Sequence, residues 1–149
     1  MNIMIVEDDA FKYANIEKLV LSVVDKPSIK SFDCVYNTVM YLQDNTPDKI
    51  ILDMSLPSHT QKIGEGSPLP MPAGGVEIIL ELRSINKNNI PIIIITQYPD
   101  IEIESDYFSI NEAGEEIRRI YGISDISVVL YDENSDSWKN NTIEFLRKK

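Results

Sequence analysis

Cysteine is almost absent from the sequence. Among 149 residues only Cys34 is present, so no internal disulfide can form and nothing demands an oxidising compartment. The chain also lacks any apolar segment near the roughly 20 residues that a membrane span needs. The opening stretch MNIMIVEDDA turns acidic after a few apolar residues and has no basic start, unlike a signal peptide. These absences predict a cytoplasmic protein.

Basic residues are also scarce. The chain has 14 Lys and Arg against 24 Asp and Glu, a formal net charge of -10. This balance argues against direct binding of nucleic acid and against docking on an anionic membrane, because both need a basic face. Hydrophobic residues make up 43% and charged residues 26%, an ordinary globular composition. The length predicts one domain over residues 1–149.

The pattern of apolar residues alternates between strand and helix five times. Continuous aliphatic strands indicate burial on both faces, hence an α/β fold with a parallel sheet between two helical layers. Right-handed crossovers then favour a doubly wound sheet. The predicted strands are NIMIV, SIKSF, KIILDM, IPIIIIT and ISVVLY, and the predicted helices lie at about 9–24, 35–42, 76–82, 107–121 and from 137 onward.

Two long connections interrupt this pattern. Residues 97–106 are predicted to form a loop, and a Pro/Gly/Ser-rich stretch at about 58–74 is predicted to be a long inserted loop. The insertion could be a lid, a docking surface or only a tolerated surface loop. His59 within it is expected to be solvated.

Polar residues end several of the predicted strands, at the edge where doubly wound sheets carry their sites. Glu7, Asp8 and Asp9 follow the first strand, Asp53 follows the third, and Thr96 ends the fourth. Asp9 is predicted to cap the next helix. Asp8 or Asp53 alone could be a cap or a solvated charge. Converging carboxylates, however, repel unless a cation or shared proton compensates, and oxygen-only ligands suit Mg²⁺.

Four segments together resemble the receiver domain of bacterial response regulators in two-component signalling. They are IMIVEDD, IILDMSLP, GGVEIILELR and IPIIIITQY, which occur in the family's order and on matching elements. The resemblance implies a flavodoxin-like fold of five strand–helix units with strand order 2-1-3-4-5.

The same resemblance implies roles for particular residues. Asp53 would be the phosphoacceptor, and Thr96 would be the switch hydroxyl that bonds the phosphoryl group. Glu7, Asp8, Asp53 and the backbone carbonyl of Ser55 would hold Mg²⁺. The phosphoryl group would come from a histidine kinase or phosphotransfer protein, and an unknown downstream protein would bind the switched surface. At most, the domain would catalyse its own phosphorylation and dephosphorylation, so it is not expected to be an enzyme.

One feature of the family is missing from the sequence. Receivers place a lysine just after the fifth strand, whereas here Tyr131 or Asp132 of VVLYDENSDSWK takes that position. An acid there would repel a phosphoryl group. Lys12 and Lys139 are candidate substitutes, although both are expected to be solvated surface lysines. Tyr131 is the one aromatic residue in the predicted fifth strand, where receivers carry an aromatic switch residue.

Alternative functions remain open at this point. A pseudo-receiver that works as an interaction module without phosphorylation is favoured by the missing lysine and opposed by the intact acidic set. Toprim nucleases and haloacid-dehalogenase phosphatases are less favoured, because both need an Asp-x-Asp motif at strand ends where this chain has DMS and EDD. Glycine motifs for nucleotide or flavin phosphates are absent from the sequence.

Overall fold

A five-stranded parallel sheet forms the centre of the molecule. The computed structural model describes residues 1–60, 64, 66 and 69–149. The strands are β1 (Asn2–Val6), β2 (Ser28–Phe32), β3 (Lys49–Leu52), β4 (Ile92–Thr96), β5 (Asp100–Ile103), β6 (Asp106–Ser109) and β7 (Ile126–Leu130). The helices are α1 (Ala10–Val23), α2 (Val35–Asp44), α3 (Gly74–Ser84), α4 (Ile110–Tyr121) and α5 (Ser137–Arg147). The parallel sheet has the order β2-β1-β3-β4-β7. Since β7 is the strand that the sequence predicted as the fifth, this confirms the doubly wound architecture and the order 2-1-3-4-5.

Helices cover both faces of this sheet. Ile5, Ile51 and Ile95 pack on the face that carries α1 and α5, whereas Met4 and Ile50 pack on the face that carries α2, α3 and α4. Because successive side chains of a strand point to opposite faces, a strand buried on both sides must be apolar throughout. None of the described helices combines the length and apolarity that a membrane crossing requires.

The segment between β4 and α4 is a β-hairpin, and the prediction of a loop over residues 97–106 was wrong from Asp100 onward. Strands β5 and β6 pair in antiparallel fashion, and Ile101 and Ile103 of β5 are buried in the core. The turn residues Glu104 and Ser105 both have positive φ, at 53° and 71°. Such tight turns usually carry Asn-Gly or Asp-Gly, so the usual turn signal is missing here. The alternation of DIEI was the available evidence for a strand.

The hairpin also shortens the predicted fourth helix. That helix was expected from about residue 107, but Tyr107 and Phe108 belong to β6 and α4 begins at Ile110. Two other helix ends are as predicted. Asp9 caps α1, accepting a hydrogen bond from the Lys12 amide at 2.9 Å, and Gly122 ends α4 with φ of 68°.

The predicted insertion at about 58–74 lies partly outside the described residues, since 61–63, 65, 67 and 68 are not among them. Its two described ends are joined. Leu56 and Met71 form an antiparallel bridge, with N–H to O distances of 3.1 and 2.7 Å. Helix α3 then begins at Gly74. The bridge therefore closes the segment directly beside the end of β3.

Lys49 ties the start of β3 to the end of α5. Its ammonium donates to the carbonyl oxygens of Phe145, Leu146 and Lys148, with the Leu146 contact at 3.1 Å. The last carbonyls of a helix lack partners within the helix and attract positive charge. Burial lowers the pKa of Lys49, while nearby Asp125 opposes that shift. The side chain thus acts as a C-terminal cap supplied from another element.

Replacing Lys49 by methionine should therefore lower the free energy of unfolding by about 2 kcal/mol. This is the usual cost of removing a charged donor and leaving its buried acceptors unpaired. Urea denaturation followed by circular dichroism measures the change. Lys30→Met, on the exposed part of β2, is the matched control and should stay within about 0.5 kcal/mol of the parent. Equal losses in both variants would show that the cap contributes nothing specific.

Candidate functional site

Three carboxylates meet at the carboxyl edge of the sheet. Val6 pairs with Leu52 in the β1–β3 register, so the next residues, Glu7 and Asp53, emerge side by side. The Asp53 amide donates to the Val6 carbonyl at 3.0 Å, which extends the pairing one step past β3. Ligand oxygens of Glu7, Asp8 and Asp53 all lie within 4.8 Å of one another. The predicted convergence of acids from the first and third strands is therefore present.

A buried ammonium lies against these carboxylates. Lys12 is only 1% exposed, and its Nζ lies 2.6 Å from Glu7 Oε2 and 3.2 Å from Asp53 Oδ1. It also donates to the Ile95 carbonyl at 2.7 Å. The expectation that Lys12 would be a solvated surface lysine was wrong. Its position in the first turn of α1 directs the side chain over the strand ends, where the acids compensate its burial.

The ammonium also faces the residue that follows the last strand of the sheet. Lys12 Nζ lies 5.6 Å from the centre of the Tyr131 ring, within reach of a cation–π interaction. Tyr131 is buried, and its ring centre lies 4.9 Å from that of Trp138 with the rings tilted by 50°. Its hydroxyl accepts a hydrogen bond from Asn15 at 2.9 Å. The aromatic side chain is therefore fixed from α1 and α5, and its ring forms one wall around the ammonium.

The charges in this cluster are not fully balanced. At an effective dielectric constant of about 20, unit charges about 3 Å apart attract by about 5 kcal/mol, comparable to the several kcal/mol that burying each ion costs. Burial raises the pKa of Glu7 to about 8, with the Asp53 charge adding to the rise and Lys12 opposing it. Burial raises the pKa of Asp53 as well, again against the attraction of Lys12. One ammonium therefore does not offset three acids, and a further cation would be stabilised here.

Thr96 and Ser55 lie on the side of the cluster that faces the hairpin. Thr96 is buried at the end of β4, and its hydroxyl oxygen accepts a hydrogen bond from the Tyr98 amide at 3.2 Å. Thr96, Met54 and half-buried Ser55 line one end of a cavity of about 570 Å³, and residues of β5 and β6 line the other. The two residues that follow Asp53 therefore border an open space shared with the hairpin.

Two glycines allow α3 to pack against the segment that carries Asp53. A Cβ atom at Gly75 would lie 2.7 Å from both the Asp53 carbonyl oxygen and Met54 Sδ. At Gly74 it would lie 2.8 Å from the Leu56 carbonyl oxygen. The Gly75 amide donates to the Met54 carbonyl at 2.9 Å. The GG pair is therefore required by close approach of backbone rather than by a turn.

Three other residues were singled out from the sequence, namely Lys139, Tyr131 and His59. Lys139 Nζ is 3.8 Å from Asp136 Oδ1 and 5.9 Å from the Trp138 ring, with its side chain 45% exposed, so the structure does not bring it to the carboxylates. Tyr131 directly follows β7 rather than belonging to it. His59 is exposed and contacts Ser58. The sequence feature that could have indicated a buried Lys12 is its position one turn before Ile16 and two before Val20, on the buried face of α1.

Similar proteins agree with this fold. The chain is 46% identical over 147 residues to the Detocs response regulatory protein DtcB of Vibrio alginolyticus, covering 97% of this chain and 99% of that protein. Among solved structures, the response regulatory domain of mrkE from Klebsiella pneumoniae has a TM-score of 0.63 at 19% identity, with 99% and 93% of the two chains covered. No protein-family model matches the sequence.

Another structure of similar fold contains a metal ion. The receiver domain of sensor histidine kinase PA1611 from Pseudomonas aeruginosa PAO1, which has magnesium coordinated in its active-site cleft, has a TM-score of 0.60 at 17% identity over 99% of this chain and 98% of that one. The chain belongs to the response regulator receiver family of two-component signalling, whose members are signalling domains rather than classical enzymes. Receiver domains work with histidine kinases or downstream proteins.

Replacing Gly75 by alanine should displace the Asp53 segment and lower the free energy of unfolding by about 1–3 kcal/mol, the usual cost of overpacking. Thermal or urea unfolding measures this. Gly114→Ala is the matched control, because its Cβ would meet nothing closer than 3.7 Å. That variant lies within α4 and should gain up to about 1 kcal/mol from higher helix propensity. The prediction is wrong when both variants shift stability in the same direction.

Proposed function

We propose that this receiver accepts a phosphoryl group on Asp53 and thereby switches a surface that binds another protein. The observation that carries the proposal is the convergence of Glu7, Asp8 and Asp53 beside a buried ammonium at the end of β3. A fold alone does not imply an activity, so this cluster rather than the fold supports the proposal. A carboxylate needs compensating charge before it can approach an anionic phosphoryl donor.

The chemistry is transfer to a carboxylate nucleophile. An oxygen of Asp53 forms a bond to phosphorus while the bond from phosphorus to the donor atom breaks. The donor atom, a histidine nitrogen of a kinase or phosphotransfer protein, leaves with the bonding electron pair and takes a proton. In the described part of the chain, the Met54 amide and Lys12 both engage Oδ1 of Asp53. Oδ2 is therefore the oxygen that we assign to the attack.

The residues present also fit a magnesium ion. All three acids offer oxygen ligands within 4.8 Å, the hard donors that Mg²⁺ prefers. Burial raises the pKa of Glu7 and of Asp53 against the attraction of Lys12, so a further positive charge would stabilise their ionised forms. Glu7, Asp8, Asp53 and the Ser55 carbonyl are the ligands that we propose. When bound, the ion would shield the repulsion between the carboxylates and the phosphoryl oxygens.

We propose that Thr96 senses the modification. Its oxygen accepts a hydrogen bond from the Tyr98 amide, which leaves the hydroxyl hydrogen able to donate to a phosphoryl oxygen. Tyr98 lies next to the cavity wall formed by β5 and β6. Drawing Thr96 toward Asp53 would pull on the segment that leads into the hairpin. We therefore expect the surface of the β5–β6 hairpin to respond to phosphorylation of Asp53.

Incubation with acetyl phosphate and Mg²⁺ should add the mass of one phosphoryl group, because the site supplies the nucleophile, the metal ligands and a cation. Intact-mass spectrometry measures the gain. Asp53→Asn should abolish it. No gain in the parent chain would instead favour a phosphorylation-independent interaction module.

The metal dependence needs its own control. The gain should disappear with EDTA and should be reduced in Asp8→Asn, because Asp8 lies in the cluster. Asp9→Asn is the matched variant, since Asp9 is an adjacent acid that caps α1 and Asn is an equally good capping residue. Equal phosphorylation in these two variants would remove Asp8 from the proposed ligands.

A further inference from the structure

We propose that Lys12, projecting from α1, is the cation that pairs with the phosphoryl group on Asp53. This inference rests on the proposed function, because it assigns a phosphoryl-binding residue within the same site. Modification of Asp53 replaces the single carboxylate charge with about two negative charges on the phosphoryl group, and it adds three acceptor oxygens. Those charges arise beside Glu7 and Asp8, where a cationic side chain within contact distance would stabilise them together with the metal ion.

Lys12 is the one cation that contacts Asp53 within residues 1–60, 64, 66 and 69–149. Its Nζ lies 3.2 Å from Asp53 Oδ1, and Oδ2, where we place the phosphoryl group, belongs to the same carboxylate. Lys139, the other candidate from the sequence, pairs with Asp136 instead. A small movement of the Lys12 ammonium is therefore enough to reach a phosphoryl oxygen.

The surroundings of Lys12 hold the ammonium in place. The ammonium donates a hydrogen bond to the Ile95 carbonyl and forms ion pairs with Glu7 Oε2 at 2.6 Å and Asp53 Oδ1 at 3.2 Å. The contacts with Glu7 and Ile95 hold the ammonium in place independently of Asp53. The third contact, with Asp53, can be exchanged for a contact with a phosphoryl oxygen while the side chain stays in position. Preorganised donors of this kind stabilise the charge that develops in a transition state.

The position of Tyr131 explains why this ammonium comes from α1. The ring of Tyr131, the first residue after β7, lies 5.6 Å from Lys12 Nζ. A lysine at position 131 would place a second ammonium beside the first. The tyrosine instead offers a ring face that attracts a cation. The space at the end of β7 is thus filled by a side chain that complements Lys12 rather than duplicating it.

The test compares the initial rates of acetyl phosphate-dependent phosphorylation in saturating Mg²⁺, read by intact mass. Lys12→Met should slow the reaction about 10- to 100-fold, the range for losing a charged hydrogen bond in the transition state. Lys12→Arg should recover part of the rate. Lys139→Met is the matched control and should stay within about twofold of the parent, because exposed ion pairs contribute little. Lys62→Met tests the lysine in the insertion that lies outside the described residues.

Each outcome decides the inference. A parent rate in Lys12→Met, with Asp53 still modified, overturns it while leaving the proposed function intact, as does a loss confined to Lys62→Met or Lys139→Met. No phosphorylation of the parent chain overturns both. Should Lys12→Met not fold, side-chain NMR of the parent chain decides. Phosphorylation should shift the Lys12 ammonium resonance and leave that of Lys139 unchanged, and an unmoved Lys12 signal contradicts the assignment.

Discussion

The edge of the sheet that carries the site depends on the contacts of the Lys12 ammonium. It joins Glu7 after β1, Asp53 after β3 and the Ile95 carbonyl in β4, so a single side chain ties three adjacent strand ends together. Two buried carboxylates at this spacing repel one another, and the ammonium opposes that repulsion. Burial raises the pKa of Glu7 and of Asp53 in spite of this ammonium. The site is thus held together and still able to take up another cation.

Packing elsewhere in the molecule serves this arrangement. Tyr131, fixed against Trp138 and Asn15, closes the far side of the ammonium, and Gly75 lets α3 approach the backbone of Asp53. On the opposite side, Thr96 leads into a hairpin whose inner residues Ile101 and Ile103 are part of the core. Because the hairpin is anchored there, movement at Thr96 would be transmitted to a packed element rather than lost in a flexible loop.

The sequence predicted the sheet and its order well, because continuous aliphatic runs such as IIIIT are typical of strands buried on both faces. It also predicted that Glu7, Asp8 and Asp53 would meet, since parallel strands bring their carboxyl ends to one edge. It did not predict the hairpin, whose turn at Glu104 and Ser105 lacks glycine. Burial of Lys12 was missed because lysine is normally solvated, and only three-dimensional proximity shows that the acids compensate it.

The central claim is that the ammonium that compensates the unmodified carboxylates also holds the phosphoryl group. A crystal structure of the chain with Mg²⁺ and trifluoroberyllate, a stable mimic of a phosphoryl group on a carboxylate, tests this most directly. We expect the mimic on Asp53, with Lys12 Nζ in hydrogen-bond contact with one of its fluorine atoms and still bound to the Ile95 carbonyl. A structure in which Lys12 turns away and another cation contacts the mimic would contradict the claim.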